Sequence, residues 1–345
     1  MNTPKRIFVV YGMSYSPVNI FFQTQIIIKG FIRLGHDVLT FDCDRALLQL
    51  SMFKSRALSK CLYKSRVDRL LVNQIRAYQP EIVYVKFART LDAVSIKRMR
   101  DAAPNAVYIG GDNDPWPKLQ RNRIETAKEL DIVTSTNDGE WLQDYRDAGV
   151  PLCKFMPNAC DPDVERRYNV EEKWTTDILW IGKLSHQADT SDKFRAELVR
   201  RLAEQPNCTL YGCCGKPKIG GMDSLYAISG ARIGVSVNAY SSSRRLSHSN
   251  RLTRFLACGT FVLQKRFAGA ELLFGDNKHV KYFDEIDEFF ELAAWYLDHE
   301  AQRKEIADAG MERAHKEFNN LRIAQYILDL VETGSYNAPW TPYCS

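Results

Sequence analysis

The sequence predicts an α/β protein made of two doubly wound domains that face each other across a cleft. Three observations predict it. A strand–helix–strand series opens the chain. The same alternation restarts past a proline-rich break near the middle. At 345 residues, the chain is longer than one core of ordinary size requires.

The elements follow in order. RIFVVYG (6–12) is a short β-branched apolar run ended by glycine, a buried strand. After the loop MSYSPVN, IFFQTQIIIKGFIRLG carries apolar residues at helical spacing and stops at Gly35. HDVLTFDCD is a second strand, and residues 45–78 read as one long basic helical stretch. PEIVYVKF is a strand, LDAVSIKRMRDAAP a helix, and NAVYIGGDNDPW a strand running into a loop. DIVTSTND, GEWLQDYRDAGV and PLCKFMPNACDPD supply strand, helix and a last short strand. The second series begins with TDILWIGKL and continues through the helix DKFRAELVRRLAEQ, the strand CTLYGCCG and the short helix GMDSLYAISGA. RIGVSVNAY, RLTRFLACGTFVLQKR and KHVKYFD add strand, helix–strand and strand. EIDEFFELAAWYLDHEAQRKEIADAGMERAHKEFN reads as two helices split near Asp298-His299, before a last helix and a proline-rich tail. The expected domains are residues 1–165, 166–318, and a helix and tail, 319–345, returning to the first.

Composition is that of a soluble globular chain, 45% hydrophobic and 26% charged. No apolar run reaches the roughly 18–20 residues of a membrane span. The opening MNTPKRIFVVYG has too short an apolar run for a signal peptide. The expected location is therefore the cytoplasm, with a peripheral seat at a membrane surface left open. Nine cysteines without a CxxC pair argue against a zinc site, and most are expected to be buried or strand-end thiols. Residues 1–100 hold 17 Lys and Arg against 6 Asp and Glu, so the first domain favours an anionic partner.

Candidate chemistry lies in the loops after strands, where open parallel sheets bind ligands. Gly182 and Lys183 follow one strand and suit a phosphate, or form a polar turn. Tyr211 and Gly212 end the next and could wall a flat base. VNAYSSSRRLSHSNRLTRFLACG is the richest stretch, with Asn238, Arg244, His248, Asn250, Arg251, Arg254 and Gly259. Arg251 and Arg254 lie about one helical turn apart, and arginine's planar fork matches phosphate oxygens. A solvated basic loop is the plainer reading. Gly269 and Glu271 follow the next strand, as backbone donors or as a helix-start acid. In the first half, Asp112 and Asp114 of GGDNDPW are candidate proton acceptors, or an Asx-turn before Pro115. Tyr15, Ser16 and Asn19 would form the acceptor wall.

With these residues in view, the block from DILWIGK to MERAHKEF resembles a GT-B glycosyltransferase, two Rossmann-like domains. Within that group it looks most like the CgeB-like (spore-maturation-type, GT4-related) branch. NRLTRFLACGTFVL and AGAELLFGD carry the resemblance, and QPEIVYVKF and GGDNDPW add to it more loosely. The resemblance implies a UDP- or GDP-linked sugar donor on the second domain, an acceptor on the first, and neither cofactor nor metal. The pattern's ribose-binding Glu, five residues before Gly259, is Arg254 here, and an acid eight residues earlier is Leu246. Glu271 or Asn250 would then substitute, or Arg254 would face phosphate.

Glycosyl transfer builds negative charge on the leaving diphosphate, which Arg251, Lys183 and amides near Gly269 would offset. Inversion and retention stay open, as does oligomeric state. From Arg45 to Arg76 there are eight Lys or Arg and one acid, Asp68, interleaved with Leu58, Leu62, Leu70, Leu71 and Ile75. That stretch is a solvated helix face, a contact for a membrane-associated glycan acceptor, or a groove for nucleic acid such as a modified DNA base. A binding protein of the same fold without turnover is the non-enzymatic alternative.

Overall fold

The computed structural model describes residues 3–12, 23–53, 55–87, 90–113, 119–184, 190–238 and 244–344. Six parallel strands form the first sheet: β1 (Arg6–Tyr11), β2 (Asp37–Asp42), β3 (Ile82–Lys86), β4 (Val107–Asp112), β5 (Ile132–Ser135) and β6 (Leu152–Phe155). Their order is β2-β1-β3-β4-β5-β6. The crossovers carry α1 (Gln23–Arg33), α2 (Cys43–Leu50), α3 (Arg56–Tyr78), α4 (Ala93–Ala102), α5 (Arg121–Ala127) and α6 (Glu140–Asp147). Five parallel strands form the second sheet: β7 (Thr176–Ile181), β8 (Cys208–Tyr211), β9 (Ala231–Ser236), β10 (Phe261–Lys265) and β11 (Lys281–Phe283). Its order is β11-β10-β9-β7-β8. Around it lie α7 (Thr190–Ala203), α8 (Gly221–Gly230), α9 (Asn250–Ala257), α10 (Ala270–Leu273), α11 (Ile286–Asp298) and α12 (Glu300–Glu317), and α13 (Asn320–Thr333) follows.

The two sheets share one topology. Each places its third strand beside its first, with the second on the other side, so the connections diverge between β1 and β3 and again between β7 and β9. Such divergence opens a crevice at the carboxyl ends of the two strands. The continuous apolar runs fit strands covered on both faces: Ile7, Phe8, Val9 and Val10 of β1 are fully buried.

Two local features depart from the sequence expectation. The basic stretch 45–78 is two helices, because each has its own start signal. Asp42 accepts from the amides of Asp44 and Arg45 at the head of α2, and Ser55 accepts from Leu58 at the head of α3. The short helix α5 is the second, an element without a counterpart in the sequence expectation. The split between α11 and α12 falls at His299, as the sequence indicates.

One apolar cluster runs from the first sheet through α9, α12 and α13 into the tail. A second, smaller cluster covers the other face of the second sheet. Phe274, Phe318 and Trp340 stack in series at 4.6 and 4.8 Å, and the Tyr336 hydroxyl donates to the Phe155 carbonyl at 2.6 Å. The chain thus returns to the first domain after α12, and α13 lies on α1. Their approach is close enough that a Cβ on Gly30 would fall on the Asn320 carbonyl and meet the Ala324 Cβ at 2.8 Å. Gly30→Leu is expected to cost about 1–3 kcal/mol through overpacking, read as a lower urea midpoint with an unchanged slope.

Candidate active site

The second sheet's crevice is spanned by one side chain. Arg251, in the first turn of α9, donates from Nε to the Ile181 carbonyl at 2.6 Å and from Nη1 to the Val237 carbonyl at 3.3 Å. Ile181 ends β7 and Val237 follows β9, so the guanidinium bridges the two strands where the connections diverge. Ser249 caps α9 by accepting from the Arg251 amide, which fixes where the side chain departs.

The Trp180 ring is the floor, with the Arg251 guanidinium 4.2 Å and that of Arg195 5.3 Å from its centroid. Arg195, from α7, also donates to the Lys183 carbonyl at 2.5 Å. Gly182 lies between the two cations: a Cβ there would strike the Arg251 guanidinium and sit 3.4 Å from that of Arg195. Burial, and then the Arg195 charge, pull the Arg251 guanidinium down to about 9, which leaves it protonated at neutral pH. Among the described residues no carboxylate pairs with Arg251. Two cations on one ring with a glycine between them leave an anion room to approach.

The segment Arg244–Asn250 holds the domains together. Arg244 lies 4.2 Å over the Trp141 ring of α6. Arg245 pairs with the buried Asp138 carboxylate and donates to the Tyr343 carbonyl, while its own carbonyl accepts from the Asp138 amide at 3.0 Å. The His248 carbonyl accepts from Asn158 at 2.9 Å, and Asn250 accepts from Gln23 of α1 at 2.6 Å. Asn238 shapes this strap, donating to the Ser247 carbonyl and accepting from the Ser249 amide, both at 2.9 Å.

Several anticipated site residues have other work. The Asp112 carboxylate is buried and accepts from Arg123, from Trp141 at 3.1 Å and from Tyr145 at 2.8 Å. With three donors on it, the carboxylate is engaged inside the first domain. Arg254 does not face an anion site either, because its Nε donates to the buried Glu165 at 2.6 Å. Gly259 follows the same helix at its far end, where a Cβ would press on the Arg167 guanidinium. Glu271 is exposed and pairs with Arg266 at 2.6 Å. Gly269 packs on Leu246 and Arg245 of the strap.

Lys183 is exposed beside Gly182, and the Tyr211 carbonyl accepts from the Gly182 amide at 3.0 Å. Gly212 adjoins the Gly182 carbonyl, so β8 ends alongside the same crevice. Tyr15, Ser16, Asn19 and Asp114 lie outside the described residues. Sequence reasoning missed Arg195, Trp180, Asp138 and Gln23. The first sits in a run read as an ordinary charged helix, and the others carry no motif.

His248 is enclosed by Phe267, Phe274 and Phe318. Its Nδ1 lies 3.1 Å from the Leu246 carbonyl, which can only accept, so the proton is on Nδ1 and Nε2 is buried without a partner. Burial lowers this imidazole to about 4, so it is neutral at pH 7 and the unfolded chain takes up the proton first. The sign follows: stability is complete above about pH 6.5 and falls on acidification toward pH 4, by up to about 3 kcal/mol. His279, also lowered to about 4, adds to the same window. His248→Phe is expected to flatten the pH dependence of the melting temperature between pH 6.5 and 4, measured by calorimetry.

Residues 194–329 match the family described as glycosyl transferase-like. A glycosyltransferase from Rickettsia africae superposes with a TM-score of 0.64 at 12% identity, over 96% of this chain and 98% of that one. Anabaena HepE in complex with UDP-glucose gives 0.62 at 12% identity, over 94% and 99%. An alpha-glucosyltransferase in complex with UDP-glucose and DNA containing an abasic site gives 0.63 at 11% identity, over 96% and 100%. A shorter likeness, 33% identity over 78 residues, is to one polypeptide of the aspartyl/glutamyl-tRNA(Asn/Gln) amidotransferase of Roseiflexus sp. strain RS-1. It covers 22% of this chain, which spans only 15% of that protein's length. Residues 194–329 are therefore similar to a glycosyl transferase-like family, and the chain shares the two-domain fold seen in these GT-B glycosyltransferases.

Proposed function

We propose that the protein transfers a sugar from a nucleotide-diphosphate donor to a hydroxyl acceptor, without a metal ion. One observation carries the reading: the Arg251 guanidinium, charged and without a carboxylate among the described residues, bridges β7 and β9 beside Gly182 and Arg195. A diphosphate resting on this pair would place its developing charge against preformed donors. UDP is the favoured nucleotide, since UDP-glucose occupies two of the proteins that share the fold. Tyr211 and Gly212, at the adjoining strand end, would receive the base. NRLTRFLACGTFVL supports placement in the CgeB-like branch.

The chemistry divides between the domains. Breaking the glycosidic bond leaves both electrons on the diphosphate oxygen, where Arg251 and Arg195 compensate the charge. The acceptor hydroxyl loses its proton as it attacks the anomeric carbon. Asp112 already carries three donors, which favours Asp114, the other carboxylate of that loop, as the proton acceptor. The acceptor is read as anionic.

Donor binding is checked by thermal shift with UDP and GDP in the presence of EDTA, because a ligand of the folded state raises its melting point. Arg251→Ala should abolish the UDP shift and lower turnover by about 10²–10³-fold. Arg251→Lys should recover little, since an ammonium cannot reach both carbonyls and an anion. Near-complete activity of Arg251→Ala would end the assignment. UDP-sugar hydrolysis without acceptor separates an enzyme from a binding protein of the same fold.

A further inference from the structure

The helix α3 is longer than its place in the fold requires. Its 23 residues span about 34 Å, whereas β2 and β3, with 6 and 5 residues, span roughly 17–20 Å. The fully buried apolar residues Val67, Leu71 and Ile75 lie from the middle of the helix onward, and before them Tyr63 is only partly buried against the core. From Ala57 to Arg66 only Ser59 is buried. A crossover between parallel strands returns antiparallel to them, so the first turns of α3 lie toward the carboxyl end of the first sheet.

That end is apolar where it should be polar. Met52 is 85% exposed, Leu62 56% and Leu58 52%, with Phe53 also exposed beside them. Leu58 and Leu62 are one turn apart on one face, and the next two turns carry exposed Arg66 and Arg69. Farther along, Arg69, Arg76 and Arg98, with Asp68 and Asp101, line an open hollow of about 410 Å³. Among the described residues no helix is long and apolar enough to cross a membrane.

We propose that the N-terminal end of α3 and the loop before it dock on an anionic lipid bilayer. Met52, Phe53, Leu58 and Leu62 enter the headgroup boundary, and Arg66 and Arg69 meet the lipid phosphates. A duplex nucleic acid rewards the cations alone and offers nothing to four exposed apolar side chains. A bilayer rewards both, and apolar residues flanked by Arg are the composition of an interfacial helix. The contact would bring the first domain's side of the cleft to the membrane, where a lipid-linked acceptor resides. Docking goes beyond the donor assignment, which concerns the other domain.

The test is co-sedimentation of the full chain with vesicles of phosphatidylcholine alone or mixed with phosphatidylglycerol, beside retention on duplex DNA. The chain should partition onto the anionic vesicles, and the Leu58→Ser, Leu62→Ser double variant roughly ten-fold or more weakly, from the apolar area withdrawn. The melting temperature and the UDP-induced shift of that variant should equal those of the parent chain, so a failed donor site is told apart from a failed docking surface. No partitioning of the parent chain, equal partitioning of the double variant, or retention on DNA at salt that prevents vesicle binding overturns the proposal.

Discussion

The Arg251 guanidinium, held between the ends of β7 and β9, is the interaction on which the candidate site depends. It donates to a carbonyl at each strand end, and the Trp180 ring lies against it. A guanidinium costs much to desolvate, and this one is compensated by dipoles and a ring face without a carboxylate among the described residues. A second cation, Arg195, adds repulsion. Two cations on one ring raise the positive potential at this strand end, which favours an anion there. Gly182 supplies the room, because any side chain there would displace the guanidinium.

Position between domains is set by a different set of contacts. The strap Arg244–Asn250 belongs to the second domain by sequence yet pairs with Asp138, Asn158 and Gln23 of the first. Behind it, His248 and the Phe274–Phe318–Trp340 stack supply an apolar spine continuous with the first domain's core. The stretch that reads as a donor loop therefore does two jobs: Arg251 at its end faces the crevice, and the residues before it fix the angle of one sheet to the other. A guanidinium placed by α9 is only as well aimed as that strap.

The exchange of an acid for Arg254 finds its explanation in the same region. Arg254 reaches Glu165, whose second carboxylate oxygen accepts from the Asp161 amide at 2.9 Å and whose carbonyl lies 2.9 Å from His315. The carboxylate is buried in the connection between the domains, so its charge has to be answered locally. An acid at position 254 would face Glu165 directly. Ion pairing at the linker thus gives Arg254 a partner within the fold itself.

Sequence alone determined the alternation of strands and helices, both parallel sheets and the α11–α12 break. These are written in local periodicity and in punctuation by Gly, Pro and capping residues, which act over a few positions. It also marked Arg251 as a phosphate candidate, a cation at the head of a helix after a strand, with a solvated basic loop as the other reading. Only the tertiary structure decided which charges were spoken for. Asp112 and Arg254 look available in a linear reading, and Arg123, Tyr145 and Glu165, which occupy them, are 11, 33 and 89 positions away. Arg195 and Trp180 were illegible for the converse reason: each belongs to an ordinary-looking element, and only the fold brings the two to one strand end. Electrostatic pairing depends on distance through space, and the chain encodes distance along itself.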